Sequence, residues 1–200
     1  MPRRGETQHA PERAEVALLV IDVMHDFACP DGEALYQHAL GIVAPLSKLR
    51  ARAKRCAVPV VYLNDNFGRW RSSFSDTVAR AEASARGDIA RRLHPGRSDL
   101  AVLKPGRSGF YASPLDLLLE QMGVKTLVLT GLSTDQCVLA TASDAVLRKY
   151  LCAVPSDCSA AITRARHERA LHVMHDAFDI DVRSSEHIAH DLFTAPPSRA

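Results

Sequence analysis

The chain has 200 residues, 46% hydrophobic and 24% charged, and its 25 Lys and Arg against 23 Asp and Glu leave a net charge of +2. That balance suits one soluble globular core and excludes disordered or collagen-like chains. No apolar run approaches the ~20 residues that cross a bilayer, and the charge provides no footprint for nucleic acid.

Residues 1–15 carry Arg3, Arg4, Glu6, Glu12 and Arg13 with no apolar run behind them and are expected as a loose tail. Val16 to Ile21 then predicts a first buried strand. Ile42, Leu46, Leu49, Ala53 and Cys56 recur at helical spacing and place a helix before Pro59. Lys48, Arg50, Arg52, Lys54 and Arg55 lie off that stripe, so they read as a solvated face. Val58 to Leu63 predicts the second strand. Residues 64–99, with short helical patches at Asp76 to Ala85 and Ile89 to Leu93, are expected as a lid or interface insertion.

Leu100 to Leu103 predicts a third strand, and Ser113-Pro114 opens a helix that Gly123 closes. Lys125 to Thr130 predicts a fourth strand, Gln136 to Lys149 a helix, Leu151 to Val154 a fifth strand and Thr163 to Ala177 a helix. A weaker sixth strand falls at Phe178 to Val182, and residues 194–200, with Pro196-Pro197, form a second tail. Strands alternating with helices imply an α/β fold, read as a three-layer α/β/α domain over residues 16–193 around a mainly parallel six-stranded doubly wound sheet; its expected strand order is 3-2-1-4-5-6.

In such sheets ligands bind outside the carboxyl ends of the strands. Three residues hold such places: Asp22 after the first strand, Lys104 after the third, and Cys137 at the start of a helix beyond the fourth. A carboxylate ending a central apolar strand is partly desolvated, which suits it to accept a proton unless a cation holds it charged. Lys104 supplies a candidate cation. A thiol at a helix N-terminus is biased toward thiolate, and the free N–H groups of the Gly131 to Cys137 turn suit an oxyanion. The same positions also suit a helix cap (Asp22), a strand end at the surface (Lys104) and a small packing residue (Cys137). The five cysteines, Cys29, Cys56, Cys137, Cys152 and Cys158, are unevenly spaced with no CxxC pair, which fits reduced thiols in a cytoplasmic protein.

Three segments carry a family resemblance. Ala17 to Phe27 (ALLVIDVMHDF), Leu103 to Phe110 (LKPGRSGF) and Thr126 to Val138 (TLVLTGLSTDQCV) resemble, in order, the marks of the isochorismatase-like cysteine hydrolases, and the likeness runs on through Thr141 to Ala145 and Val154 to Cys158. The resemblance implies Asp22 as general base, Lys104 as the cation that stabilises the charged pair, and Cys137 as nucleophile. It implies a cis peptide at Leu132-Ser133 and an oxyanion hole of the Ser133 and Cys137 N–H groups. The implied reaction is hydrolysis of a small amide or related C–N bond through a thioester, with no cofactor, in a chain that forms dimers or tetramers.

Relatives that act on nicotinamide hold a metal through an Asp-x-His element after the second strand. Here that place reads Leu63-Asn64-Asp65-Asn66-Phe67 and has no histidine, so the resemblance implies neither a bound metal nor that substrate. Isochorismatase-type vinyl ether cleavage by Asp22 and Lys104 stays open as an alternative, as does a non-catalytic binding protein of the same fold. Asn64, Trp70, Phe110 and Tyr111 are candidates to line the pocket, with core packing the competing role for the aromatics. His167, His172 and His175 share one helix and read as an exposed face away from the crevice rather than a metal site.

Overall fold

A computed structural model describes residues 12–71 and 73–194. Its centre is a parallel sheet in which β1 (Val16–Ile21) lies between β2 (Val60–Asp65) and β4 (Thr126–Leu132), β3 (Leu100–Lys104) flanks β2, and β5 (Leu151–Ala153) flanks β4. Five of the six β1 residues are buried, as a strand covered on both faces requires. Helix α1 (Gly32–Arg55), α2 (Phe74–Ala83), α3 (Asp88–Arg92) and α7 (Ser185–Leu192) cover one face. Helices α4 (Leu115–Met122), α5 (Leu139–Leu147) and α6 (Arg164–Phe178) cover the other.

Strand alternation splits the core. Leu18, Val20, Tyr62 and Val128 pack under α1, whereas Ala17, Leu19, Ile21, Leu127 and Leu129 pack under α4 to α6. The crossover direction reverses between β1 and β4, so the sheet opens a crevice at their carboxyl ends. None of the described helices is long and apolar enough to cross a membrane.

The three-layer architecture and the 3-2-1-4-5 order match the sequence reading, but the sixth strand is Ser159–Ala160, paired with β4 beyond the end of β5. The segment expected to supply it contributes a single bridge, Asp181 to Ala153, because α6 runs to Phe178 and turns at a left-handed Asp179. Residues 1–11 and 195–200 of the expected tails lie outside the described residues. Ala14 and Glu15 are already tied in: the Ala14 N–H donates to the Met122 carbonyl, and the Glu15 carbonyl accepts from Lys125 and Thr126.

Residues 64–99, expected as a lid or interface insertion, contribute to both sheet and core. Asn64 and Asp65 end β2, and the helices that follow form the β2 to β3 crossover, with Val78, Ala81, Ile89, Ala90 and Leu93 in the core. A capping box starts α2: the Ser73 hydroxyl accepts from the Asp76 N–H, and the Asp76 carboxylate accepts from the Ser73 N–H. The end of the crossover is pinned to α1 by Arg50, which departs from the solvated role expected of it. Its guanidinium is buried, donates to the His94 carbonyl at 2.8 Å, faces Asp99 at 3.5 Å and lies over the Tyr62 ring. Lys54 reaches the same Asp99 at 2.9 Å, and the Tyr62 hydroxyl donates to the Leu93 carbonyl at 2.6 Å.

A crossover that carries core predicts a stability cost that a movable lid would not show. Ile89→Ala removes a fully buried side chain and is expected to lower unfolding free energy in urea by about 2–5 kcal/mol. A change within about 0.5 kcal/mol, typical of surface sites, would return the segment to the status of a lid.

Candidate active site

Three strand ends converge at the crevice. Asp22 follows β1 in a left-handed conformation (φ 51°), held by its N–H donating to the Leu63 carbonyl at 2.8 Å. Its Oδ1 accepts the Asp65 N–H at 2.7 Å, and its Oδ2 lies 2.8 Å from the Lys104 Nζ. Asp65 and Lys104 are register partners at the ends of β2 and β3, which is why both reach the same spot. The Lys104 side chain is fully buried, so the surface reading of this residue does not hold. Its Nζ also donates to the Gly106 carbonyl at 3.0 Å, lies 3.6 Å from the Cys137 Sγ and 3.9 Å from Asp65.

Cys137 comes from the opposite wall. Gly131, the next-to-last residue of β4, has φ 105°, and a Cβ there would stand 2.0 Å from the Ile21 carbonyl oxygen, so only glycine lets β4 pass the end of β1 this closely. The Leu132-Ser133 peptide is cis, and a π-helical turn, Thr134–Val138, carries Cys137 into α5. Such turns concentrate at functional sites. Thr141 Oγ1 donates to the Cys137 carbonyl at 2.6 Å and accepts the Gly109 N–H at 2.9 Å, joining the loop after β3 to the turn that carries Cys137.

The first turn of α6 braces the other side. His167 Nδ1 lies 2.8 Å from the Thr134 hydroxyl, and Arg166 pairs with Asp135 at 2.5 Å. His167 therefore sits against the turn that carries Cys137 rather than on an exposed face, while His172 is exposed and pairs with Asp176. Among the described residues, no group of three or more His, Cys, Asp or Glu side chains is placed to hold a metal ion.

The electrostatics reverse one expectation from the sequence. Burial, reinforced by the Asp22 carboxylate and only partly opposed by Lys104, pushes the Cys137 thiol up to about 12, so the resting sulfur holds its proton. Burial also works against the Lys104 charge, but Asp22, Cys137 and Asp65 outweigh it and raise this lysine above its ordinary value. Burial lowers His25 despite nearby Asp26, Asp22 and Asp65, leaving a neutral ring whose Nδ1 accepts the Phe27 N–H at 2.7 Å. Burial alone pushes Cys152 up to about 12, and burial is the main cause of a still larger rise at Cys158, so both are protonated packing residues.

The crevice is a cleft of about 270 Å³ that Asp22, Ser133 and Cys137 line. The four residues expected to shape the pocket stand elsewhere. Asn64 is buried and bridges the Met24 N–H and carbonyl, both at 3.1 Å, because alternation along β2 sends it away from Asp65. Phe110 is buried against Tyr150 and beneath Arg148. Trp70 and Tyr111 are 81% and 65% exposed. The cleft uses His25, Cys29, Asp31, Asp65, Phe67 and Gln136 instead. Of these, Asp65 was legible as a polar residue closing an apolar run, had the strand been carried two residues past Leu63.

An isochorismatase domain family matches residues 16–186. The isochorismatase family protein YaaI of Bacillus subtilis (strain 168) is 30% identical over 176 residues, covering 88% of this chain and 97% of its own. A maleamate amidohydrolase of Pseudomonas putida is 31% identical over 176 residues, covering 82% of this chain and 78% of its own. Among solved structures, an isochorismatase-like hydrolase from Alkaliphilus metalliredigens superposes with a TM-score of 0.72 at 26% identity, covering 88% of this chain and 96% of that one.

The thiol's position predicts its reactivity. With its proton held up to about 12, alkylation of Cys137 by iodoacetamide is expected to climb through pH 9 without a plateau, since only the thiolate attacks. Asp22→Asn removes the opposing anion and frees Lys104 for the sulfur, so alkylation at pH 8 is expected to rise about tenfold per unit of pKa lost. A wild-type plateau near pH 7 would show a resting thiolate and refute this picture.

Proposed function

The chain belongs to the isochorismatase family, and we propose that within it this hydrolase cleaves a small amide or related C–N bond through a Cys137 thioester. The observation that carries the reading is the Lys104 ammonium held 2.8 Å from Asp22 and 3.6 Å from the Cys137 sulfur. Acid-base partner, cation and nucleophile meet in one cleft. The amidohydrolase name of the Pseudomonas putida relative supports the same bond class.

In the first step Asp22 takes the Sγ proton as sulfur bonds to the carbonyl carbon and the C=O π electrons move to oxygen. The Ser133 and Cys137 N–H groups, at the mouth of the π-helical turn, are assigned to that oxygen. Collapse of the tetrahedral adduct breaks the C–N bond, and the leaving nitrogen takes the proton from Asp22. Water then attacks the thioester while Asp22 accepts its proton. The departing sulfur recovers that proton as the acid leaves. Lys104 holds Asp22 in place and balances the sulfur's charge throughout.

A screen of small primary amides and ureido compounds tests the reading. Cys137→Ala and Asp22→Asn are expected to lower kcat/KM by about 10³-fold or more, in line with losses of a nucleophile or its base, and mass spectrometry of a quenched turnover should find an acyl group on Cys137. Turnover that survives Cys137→Ala would replace thioester chemistry with a reaction run by Asp22 and Lys104 alone.

A further inference from the structure

The charge of the cleft wall has not entered the mechanism, and it narrows the substrate. Three carboxylates line the cleft, Asp22, Asp31 and Asp65, and among the described residues no lysine or arginine lines it. Lys104, whose ammonium lies 3.6 Å from the Cys137 sulfur, is fully buried beneath that wall, already shared between Asp22, the Gly106 carbonyl and the sulfur. Arg80 lies over the Phe67 ring, 5.9 Å from its centroid, and is not part of the lining. Counting Lys104 against the three carboxylates leaves a net charge of −2 around the reacting centre. Burial keeps His25 neutral, so it adds no cation.

We infer that this cleft selects small amides that are uncharged or carry a cationic group, and rejects those that carry a carboxylate. The inference rests on the amide reading above for the word amide, and on wall charge alone for the selection. A carboxylate entering the cleft meets a net charge of −2 and, among the described lining residues, no side-chain cation to replace its hydration, whereas an ammonium or a neutral group meets no such repulsion. Gln136 and His25 provide neutral hydrogen-bonding partners, and Phe67 an apolar surface. Cleft size agrees, since about 270 Å³ lies just below the usual range for drug-sized ligands.

Two measurements separate the selection from the chemistry. The first labels Cys137 in Cys29→Ser protein with 2-aminoethyl and 2-sulfonatoethyl methanethiosulfonate at low salt, scoring the Cys137 peptide by mass spectrometry and dividing each rate by that with 2-mercaptoethanol. The normalised cation-to-anion ratio is expected to reach at least about tenfold, to fall as salt screens the wall, and to shrink severalfold in Asp31→Lys. Asp31 is exposed and its side chain makes no cap to α1, so that variant keeps the fold. A ratio near or below one overturns the inference. The second compares kcat/KM for 4-aminobutanamide, butanamide and succinamate. Succinamate is expected to be the poorest by at least about tenfold, or roughly 1.4 kcal/mol, and succinamate hydrolysed as well as the others overturns the inference. Charge-selective labelling with no amide hydrolysed would refute the amide chemistry while leaving the selection standing.

Discussion

The buried ion pair between Lys104 and Asp22 is the interaction on which the site depends. An ammonium with no exposed surface is tolerable only where its charge is met and its hydrogens are spoken for. Here Asp22, the Gly106 carbonyl, the Cys137 sulfur and Asp65 surround it. Each partner comes from a different segment: Asp22 from the end of β1, Asp65 from β2, Gly106 from the loop after β3, and Cys137 from the turn after β4. Removing one of them leaves the others around an under-compensated charge, which makes the four strand ends a single electrostatic unit.

That unit requires strand register good to a residue. Ile21 pairs with both Leu63 and Gly131, and Asp65 pairs with Lys104. A one-residue slip in β2 would send Asp65 to the face where Asn64 now grips Met24. Two backbone devices turn aligned strands into a site. The left-handed Asp22 turns its carboxylate back toward β2 and β3, and Gly131 lets β4 approach the Ile21 carbonyl so that the next turn can present Cys137 opposite. The α6 brace through His167 and Arg166 then steadies that turn from behind.

How much of this was legible depends on how local each cause is. Asp22, Lys104 and Cys137 each stand right after an apolar run or at a helix start, so the rule that ligands bind at strand ends picks them out without knowledge of packing. Alternation of elements implied the parallel sheet, while the observed order is one of the common doubly wound arrangements that share that alternation. Asn64 directly follows the apolar run that ends at Leu63, but with a period of two along β2 the one-residue step to Asp65 separates the residue facing the core from the one facing the site. Trp70 and Tyr111 had the chemistry of a pocket, but the direction of a loop side chain is set by tertiary contacts a sequence does not state. Arg50 lies off the apolar stripe of α1, as a surface cation should, and is buried only because a crossover from elsewhere in the chain lays Asp99 and His94 on top of it. The two-residue sixth strand, Ser159–Ala160, carries too little pattern to see.

The protonated thiol is compatible with nucleophilic chemistry once charge is counted over the whole group. Passing the Cys137 proton to solvent would leave a thiolate and the Asp22 carboxylate beside one ammonium, a net change of −1 in a buried place, and it is this release that burial and Asp22 oppose. Passing the same proton to Asp22 leaves the sum over Asp22, Lys104 and Cys137 at zero, and it frees the Lys104 ammonium, 3.6 Å away, to face the sulfur. The group is therefore arranged to make thiolate only as the proton moves within it. In the proposed reaction, reactivity would be coupled to a bound carbonyl that draws charge off the sulfur, since only the thiolate attacks. The acidic wall of the cleft works in the same direction, because each added carboxylate makes a free thiolate costlier while leaving an internal transfer, which creates no new net charge, comparatively undisturbed.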